Sequence, residues 1–293
     1  MIEKTKVKIY ILIATSKKRT NLLINRSLKS VYSQTKINPK NIEVVIVDDN
    51  IRTFENRTST EYDKIVNLVK ELRNKLKLTK NQFKTHILTN KKTQFKSGTG
   101  AWNTGIEFIN KQSKNKKSFT AILDDDDEYK DNFLQKCITK INNNTLAVFA
   151  PIIWKGTGFE QINYIKKEEL TAKHFFIGNP GIQGSNMFFR SDILYKIGGF
   201  DENMPSTTDR DLMIRFFDLL DKFQNSENRI IVLNEPLIIH YANGSDRVTD
   251  NKIFKKEGLD IFYKKYKSRF SETDFQKSLN RAKRFFGYEY ERK

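Results

Sequence analysis

The sequence predicts an α/β protein in which a mostly parallel, twisted sheet is flanked by helices. Three observations lead to this fold class. Strand-like and helix-like segments alternate over the first 150 residues, the strand-like segments are continuous apolar runs, and two of these runs end in clusters of aspartate. Alternation of this kind is typical of parallel sheets, whose strands are buried on both faces. The carboxyl ends of such strands form a crevice in which ligands bind.

Each predicted element follows from its local pattern. VKIYILIA (7–14) is an uninterrupted apolar run and predicts the first strand. A helix then extends from Thr20 or Asn21 through Gln34, because its apolar residues recur at helical spacing and both starting residues are good caps. The same arguments predict further strands at 42–47, 85–88, 119–123 and 230–234, a strand-like run LAVFAPIIW at 146–154, and helices at 60–77, after SGTGAWNTG, and from Thr208 through Leu220.

Length and composition indicate a soluble globular chain with a main domain and an appendage. The 293 residues are 38% hydrophobic, and we divide them into a domain at 1–250 and a helical C-terminal extension at 251–293. The single cysteine, Cys137, excludes an internal disulfide and a metal site built from cysteines. No apolar run reaches the length of a membrane span, and the N-terminus lacks a cleavable signal pattern. These features predict a cytoplasmic location.

The formal net charge of +18 raises the alternative of a non-catalytic protein that binds nucleic acid or an anionic membrane. The basic residues are dispersed along the chain, however, and no zinc-finger or RNP-type signature accompanies them. A general enrichment in lysine explains the charge equally well. We therefore predict no nucleic-acid partner and place this functional class last.

The run AILDDDDEY concentrates four aspartates, Asp124–Asp127, at the end of a predicted buried strand. Clustered carboxylates are costly unless they are paired, protonated or bound to a cation. Carboxylate oxygens suit Mg²⁺ or Mn²⁺, and an ion with few protein ligands keeps positions open for phosphates. The cluster therefore predicts a metal-diphosphate site. The alternative is a solvated acidic turn that precedes a helix starting near Asp131.

A second acidic pair, Asp48 and Asp49, ends the strand at 42–47. In a parallel sheet this pair lies at the same edge as Asp124–Asp127. A carboxylate at that edge accepts hydrogen bonds from a nucleobase or a ribose hydroxyl. The two clusters together predict a nucleotide site, although a turn after a strand often carries Asp and Asn without any ligand.

Five segments in the same order resemble family 2 glycosyltransferases of the GT-A, Rossmann-like fold. They are ILIATSKKRTNLLINRSLKSVYSQT, IEVVIVDDN, SGTGAWNTGIEF, LDDDDEY and GSNMFFRSDILYKIGGFDENMPSTTDRDLMIRF. Each segment alone is weakly specific, whereas five in order are highly specific. The resemblance covers roughly residues 7–245 and identifies 1–250 as the catalytic domain.

The resemblance implies site residues by position. Thr15 and Asp49 match positions that hold the uridine of the donor, and the nucleotide-binding set is Ala14, Thr15, Arg19, Asp48, Asp49, Asn103, Asp124 and Asp125. The implied metal ligands are Asp126, Asp124 and His240. Asp209 matches the catalytic base and Asp211 a nearby structural or acceptor-contacting acid, and both are predicted as catalytic residues. Residues implied on the acceptor or diphosphate side are Asp127, Gly184, Ser185 and Arg247.

The implied activity is transfer of a hexosyl or N-acetylhexosaminyl group from a UDP-sugar, with inversion and with Mn²⁺ or Mg²⁺. The acceptor is a hydroxyl of a glycan, a lipid-linked sugar or a protein, in the synthesis of a bacterial surface glycan. A base in such a single displacement lies opposite the leaving group, on another segment than the metal ligands, and Asp209 meets this requirement. The alternative of a sugar-phosphate nucleotidyltransferase needs a Gly-rich signature after the first strand, and IATSKKRTN contains no glycine.

The C-terminal extension 251–293 contains thirteen basic and six acidic residues and ten aromatic residues. Basic amphipathic helices bind anionic membranes, so the extension predicts peripheral contact with the inner membrane face. The alternative is that its aromatic face packs on the catalytic domain or on a second copy of the chain. We favour packing, and both alternatives stay open from the sequence alone.

Overall fold

The computed structural model of the chain describes residues 7–16, 19–50, 61–93, 97–113, 117–242 and 251–291. Its strands are β1 (Lys8–Thr15), β2 (Ile42–Asp48), β3 (Lys84–Thr89), β4 (Ser118–Ile122), β5 (Glu128–Tyr129), β6 (Ala147–Phe149), β7 (Ile152–Gly156), β8 (Phe159–Asn163), β9 (Met187–Arg190), β10 (Ile230–Val232) and β11 (Ile238–Tyr241). Its α-helices are α1 (Thr20–Leu22), α2 (Lys29–Tyr32), α3 (Tyr62–Lys75), α4 (Thr99–Ser113), α5 (Phe133–Lys140), α6 (Ala172–Ile177), α7 (Ser191–Lys196), α8 (Thr208–Leu220), α9 (Lys252–Tyr266) and α10 (Glu272–Phe286).

Within these described ranges, seven strands form the central sheet, in the order β10-β6-β9-β4-β1-β2-β3. All neighbours are parallel except β9, which runs antiparallel to both β4 and β6. The sheet is thus mostly parallel and flanked by helices, which confirms the predicted fold class. Because β1, β2 and β4 are parallel neighbours, their carboxyl ends lie side by side.

The first predicted helix contains a wider turn at its centre. The segment α1 continues as a π-helix at Leu23–Leu28, then as α2, and ends at Tyr32. The Ser27 hydroxyl donates to the carbonyl of Leu23 at 3.0 Å, a side-chain bond that competes with the backbone ladder. Arg26 lies on this turn and donates to the carbonyl of Asp126 at 3.3 Å. The widened turn therefore brings a cation to the loop after β4, as π-helical turns often do near functional sites.

The structure differs from the sequence prediction at the run 146–154. Pro151 has no N–H for a sheet ladder, and it separates β6 in the central sheet from β7 in a second sheet of order β5-β11-β7-β8. The segment after this run, for which no element was predicted, holds β8, which pairs antiparallel with β7. His240 lies within β11, where it pairs in register with Trp154 of β7.

The central sheet separates two apolar clusters. Alternate residues of β1 face opposite sides, so that Tyr10 and Leu12 join one cluster while Ile9, Ile11 and Ile13 join the other. This alternation follows from the strand geometry, and it explains why the sequence of a strand buried on both faces reads as a continuous apolar run.

The described part of the C-terminal extension packs on the main domain. Leu259, Phe262, Tyr263 and Tyr266 of α9 are buried in the same apolar cluster as α6 and α8. The helix α10 packs against α6, which in turn packs against α8. Residues 251–291 therefore pack on the main domain of the same chain, which is one of the alternatives that the sequence left open. No helix in the described ranges combines the length and apolarity that crossing a membrane requires.

Candidate active site

Three strand ends bring most of the predicted nucleotide-binding residues to one edge of the sheet. Thr15 ends β1 and pairs in register with Asp48 at the end of β2. The Thr15 hydroxyl donates to Oδ2 of Asp125 at 2.8 Å, and its carbonyl accepts a bond from the Asp49 N–H at 2.8 Å. Ala14 precedes Thr15 in β1 and is partly buried at the same edge. These residues therefore form one connected group, as the sequence predicts.

Asn90 belongs to this group and was not predicted. It follows β3 and is fully buried, and its amide donates to Oδ1 of Asp49 at 2.5 Å. Its N–H donates to the Asp48 carbonyl at 2.9 Å. Asp48 itself accepts two bonds from Asn50, from N–H at 3.1 Å and from Nδ2 at 2.8 Å. The signal in the sequence was the position of Asn90, the first residue after the third strand, at the edge where ligands bind.

Arg19 lies against the acidic turn that follows β4. Its Nη2 is 3.2 Å from Oδ1 of Asp125 and also contacts Oδ2 of Asp126. Asp125 is buried, whereas the Asp126 side chain keeps about a fifth of its surface exposed. The guanidinium thus places a positive charge between two carboxylates of the run, at the rim of the crevice.

The carboxylates of the turn carry more negative charge than Arg19 offsets. Burial raises the pKa of Asp124 well above its ordinary value, and the neighbouring Asp127 and Asp126 raise it further. Burial also raises the pKa of Asp125 to about 7, although the Arg19 charge opposes this shift. Both effects disfavour the ionised forms, and a bound cation reverses them.

The donor atoms fit a divalent ion that is held in part by phosphates. Among the described residues, no group of three or more His, Cys, Asp or Glu side chains is arranged to enclose a metal. Mg²⁺ in particular commonly takes one or two carboxylates and completes its shell with water and substrate phosphates. Asp124 and Asp126 supply oxygen ligands of this type. The residues present therefore fit an open ion site better than a closed one.

Asp127 connects the acidic turn to two other segments. The Ser185 hydroxyl donates to Oδ2 of Asp127 at 2.5 Å and accepts from the Asp124 N–H at 3.1 Å. Nδ1 of His240 lies 2.9 Å from Oδ1 of Asp127. At Gly184 an added Cβ would lie 3.3 Å from Oδ1 of Asp124, so the glycine leaves room for that carboxylate. The structure thus groups Gly184, Ser185 and His240 around Asp124 and Asp127, and Asp127 itself holds the turn in place.

His240 contacts the acidic turn through Asp127 and packs on Trp154, with ring centroids 5.1 Å apart. A histidine oriented by a carboxylate is a common arrangement around metal ions. The role of His240 as a direct ligand stays a prediction.

Asn103 has a different place from the one predicted. Its Nδ2 donates to the Phe200 carbonyl at 2.8 Å, and its Oδ1 accepts from the Phe200 N–H at 2.8 Å. Nδ2 also donates to Glu202 at 2.9 Å. These bonds occupy the amide within the protein. The geometry therefore corrects the prediction that Asn103 binds the nucleotide, and assigns it to positioning the turn that leads into α8.

Asp209 lies in the first turn of α8 and faces the acidic turn, since its charge raises the pKa of Asp124. In the described part of the chain, no group donates a hydrogen bond to its carboxylate. Burial raises the pKa of Asp209 to about 6, although the Lys255 ammonium opposes this shift. A carboxylate without internal hydrogen-bond partners and with a pKa near neutrality suits a general base.

Asp211 has the opposite environment and is not available as a base. It is fully buried, and its Oδ1 accepts bonds from Lys265 at 2.6 Å and from the Tyr266 hydroxyl at 2.7 Å. Its Oδ2 accepts two bonds from Arg215, at 2.9 and 2.6 Å. These bonds correct the prediction that Asp211 is catalytic. Arg247, the remaining predicted residue, lies outside the described residues.

Comparison with known families decides the class of protein. The model of the family described as "Glycosyl transferase family 2" matches residues 11–198, more than half of the chain. The chain belongs to glycosyl transferase family 2. This membership makes the protein a glycosyltransferase and confirms the resemblance drawn from the motifs. The family 2 match includes Asp49 and the acidic turn and ends at Gly198, before the helix that carries Asp209.

Solved structures share the fold of this family 2 chain. S. aureus TarS 1–349 in complex with UDP is 16% identical, with a TM-score of 0.58 over 95% of this chain and 72% of that chain. The mannosyltransferase PcManGT from Pyrobaculum calidifontis, in complex with GDP-Man and Mn²⁺, is 14% identical, with a TM-score of 0.56 over 93% of this chain and 68% of that chain. The GT-A fold is therefore confirmed. A search of curated proteins returned no significant match.

Proposed function

We propose that this family 2 member is a metal-dependent, inverting glycosyltransferase that uses a UDP-sugar. The transferred group is a hexosyl or N-acetylhexosaminyl residue, and the acceptor is a hydroxyl of a growing bacterial surface glycan. TarS, which binds UDP, and PcManGT, which binds GDP-Man with Mn²⁺, share the fold and support a nucleotide-sugar donor and a divalent ion.

The observation that carries the proposal is the relation between two acidic groups on different segments. The run Asp124–Asp127 follows β4, and Asp209 begins α8, yet the charge of Asp209 acts on Asp124. A displacement with inversion needs a leaving-group side and a base side, with the sugar between them. The run and Asp209 provide these two sides.

The residues of the chain have separate tasks in this reaction. Thr15, Asp49 and Asp125 lie where they can accept or donate bonds to the nucleoside. Asp126 and Asp124 would hold a divalent ion, which would neutralise the charge that develops on the departing diphosphate. Asp209 removes the proton from the acceptor hydroxyl as the new bond forms, and Asp127, Ser185 and Asn103 hold the surrounding turns in position.

The nature of the acceptor and the location in the cell belong to the same proposal. The acceptor in this proposal is a glycan, a lipid-linked sugar or a protein. Cytoplasmic location, peripheral contact with the inner membrane face and a homodimer through 251–293 stay predictions. The aromatic face of α9 is already buried on the domain, so burial of that face requires neither a membrane nor a second copy.

A thermal-shift screen of nucleotide sugars with and without Mn²⁺ tests donor class and metal together. A ligand that binds only the folded protein raises its melting temperature in proportion to the logarithm of its concentration above Kd. We expect UDP-sugars to raise the melting temperature with Mn²⁺ and to raise it much less without the ion. A larger shift with GDP-sugars, or equal shifts with and without Mn²⁺, contradicts the proposal for donor or metal respectively.

A further inference from the structure

Three cations lie together where α8 meets the C-terminal helices. Arg210 follows Asp209 in α8, Lys255 lies on α9, and Arg281 lies on α10. The charges of Arg210 and Arg281 both act on Lys255, and Asp209 is the acidic group that acts on it. We name Lys255 and Arg281 the cation pair.

Arg210 is buried and bonded inside the protein. Its Nε donates to the Phe175 carbonyl at 2.9 Å, and its Nη2 donates to the Phe176 carbonyl at 2.6 Å and to Ser278 at 3.3 Å. Its guanidinium also stacks on Phe262, 4.1 Å from the ring centroid. These bonds explain how an arginine is buried here without a carboxylate, and its burial separates it from the more exposed Lys255 and Arg281.

The cation pair has no such partners. Within the described ranges, no hydrogen bond or ion pair joins the side chain of Lys255 or of Arg281 to another residue. Lys255 Nζ lies 4.1 Å from the centroid of Phe286, and the Arg281 guanidinium lies 4.7 Å from the centroid of Phe285. The two aromatic rings thus support the side chains without satisfying their N–H donors.

Close packing fixes the cation pair beside Asp209. The Ser206 hydroxyl, just before α8, donates to the carbonyl of Phe254, the residue before Lys255, at 3.0 Å. At Gly258 an added Cβ would lie 2.2 Å from the Ser206 hydroxyl, so α9 touches this turn directly. On the other side, an added Cβ at Gly178 would lie 2.3 Å from Nε of Arg281.

The N–H donors of the cation pair, which are unpaired in the described part of the chain, suit an anionic ligand. Placing cations near one another out of bulk water is unfavourable, and burial and repulsion lower the pKa of Lys255 to about 8 even though Asp209 opposes them. The aliphatic stem of Lys255 is half-buried while Arg281 is exposed, so a ligand reaches the pair from solvent. In the proposed reaction the acidic turn would hold the donor diphosphate through a divalent ion, which leaves the cation pair for a different anion.

We propose that Lys255 and Arg281 bind a negatively charged group of the acceptor, a phosphate or a carboxylate, next to the hydroxyl that Asp209 activates. The proposal rests on the proposed glycosyl transfer and specifies its acceptor class as an anionic saccharide. It also gives the C-terminal extension a part in substrate selection in addition to its packing.

The test is calorimetric titration with three probes, glucose 6-phosphate, glucuronic acid and glucose, in the presence of UDP and Mn²⁺. The proteins are the wild type, the double variant Lys255→Met with Arg281→Met, and a control double variant Lys264→Met with Lys277→Met. The control changes two exposed lysines on the same two helices by the same total charge. Lys255→Arg is included because it keeps the charge and should keep the binding.

We expect at least one anionic probe to bind the wild type and the control, with affinity at least tenfold lower in the Lys255→Met and Arg281→Met protein, and no binding of glucose. Which anion binds distinguishes phosphate from carboxylate. The proposal is overturned if all proteins bind the anions with equal affinity, or if neither anion binds. It is also overturned if an anion binds only when UDP is omitted, because the cation pair then serves the donor diphosphate. The affinity for UDP is measured separately and reports on the proposed function. Failure of the proposed function can therefore be distinguished from failure of the anion site.

Discussion

The Tyr266 hydroxyl donates a hydrogen bond to Oδ1 of Asp211 at 2.7 Å and joins the C-terminal helix α9 to the helix that carries Asp209. Lys265, the preceding residue, donates to the same oxygen at 2.6 Å. Asp209 itself has no hydrogen-bond donor among the described residues, so its position depends on the anchoring of its neighbours. The C-terminal helix α9 thus holds α8 at Asp211, two residues from the proposed base Asp209.

Tyr266→Phe should destabilise the protein by about 1.5–3 kcal/mol, the usual contribution of a hydrogen bond to a buried charged group. Urea unfolding measures this change. Transfer activity should fall as well, because α8 loses one of its anchors. Tyr164→Phe is the matched control, since Tyr164 is 60% exposed and should show no comparable loss. Equal stability of the two variants contradicts the anchoring role.

Asp209→Asn should lower the transfer rate by about 10²- to 10⁴-fold, the usual contribution of a general base. Binding of UDP should be retained, because Asp209 lies on the acceptor side. Asp221→Asn makes the same change at an exposed position just after α8 and should leave the rate unchanged. A loss of UDP binding as large as the loss of rate would indicate a structural role for Asp209 instead.

The transfer rate of the wild type should also depend on pH through Asp209. Burial raises the pKa of this group to about 6, with the Lys255 charge opposing the shift and the acidic turn facing it. A base acts in its ionised form, so the rate should rise with pH through about 6 and then level. A profile that stays flat between pH 5 and 7 in steady-state assays, with protein stability verified at each pH, would exclude this assignment.

Asp126→Asn should remove the Mn²⁺-dependent part of UDP binding. Asp126 is the member of the run with an exposed carboxylate at the rim, and an amide is a much weaker ligand for a hard cation. Thermal shifts with UDP at rising Mn²⁺ concentrations measure the effect. Asp131→Asn, at an exposed position after the same run, serves as the control. Persistence of the Mn²⁺ effect in Asp126→Asn disproves the ligand assignment.

Glu43 gives a prediction for stability against pH that is independent of the site. It lies 2.7 Å from Lys8 and 2.8 Å from His86, on the neighbouring strands β1 and β3. Partial burial raises its pKa, but the hydrogen bonds from His86 and Lys8 outweigh this and lower the pKa to about 2. A lowered pKa means that the stabilisation is complete above the ordinary value near 4.5 and is lost as the pH falls towards 2.

Glu43→Gln should therefore be less stable than the wild type at pH 7, and the difference should shrink at pH 3. Urea unfolding at the two pH values measures it. Glu160→Gln changes an exposed glutamate on β8 and should show no such trend. A difference that is constant between pH 7 and pH 3 contradicts the ionic origin of the stabilisation.

The sequence predicted the parallel strands and their acidic ends because these depend on local patterns. A strand buried on both faces must be apolar throughout, and Asp49 and the run Asp124–Asp127 come just after such strands. Residues 146–154 were predicted as one strand-like run, whereas the structure divides them at Pro151 between two sheets, an assignment that depends on pairing partners far along the chain. Local sequence patterns thus predict which segments form strands and helices better than they predict which strands pair with one another.

Asp209 and Asp211 show most clearly what the sequence does not contain. Both lie in the first turn of α8, and both are typical of a helix N-terminus. Asp211 is excluded from catalysis by Tyr266 and Lys265, more than 50 residues downstream. Asn103 was misplaced for the same reason, since its partner Phe200 is 97 positions away. Roles of this kind are decided by contacts between distant segments.

The antiparallel strand β9 sets the order in which this protein is completed during synthesis. It lies between β4 and β6, although it leaves the ribosome after both. Until β9 is made, β4 is an edge strand with unpaired backbone groups, directly beside the aspartate run. The donor half of the crevice therefore exists first as an unprotected edge, and residues 187–190 both close it and join the two parallel blocks of the sheet. Pairing over such distances along the chain is slow. The nascent chain is most exposed to aggregation in this interval.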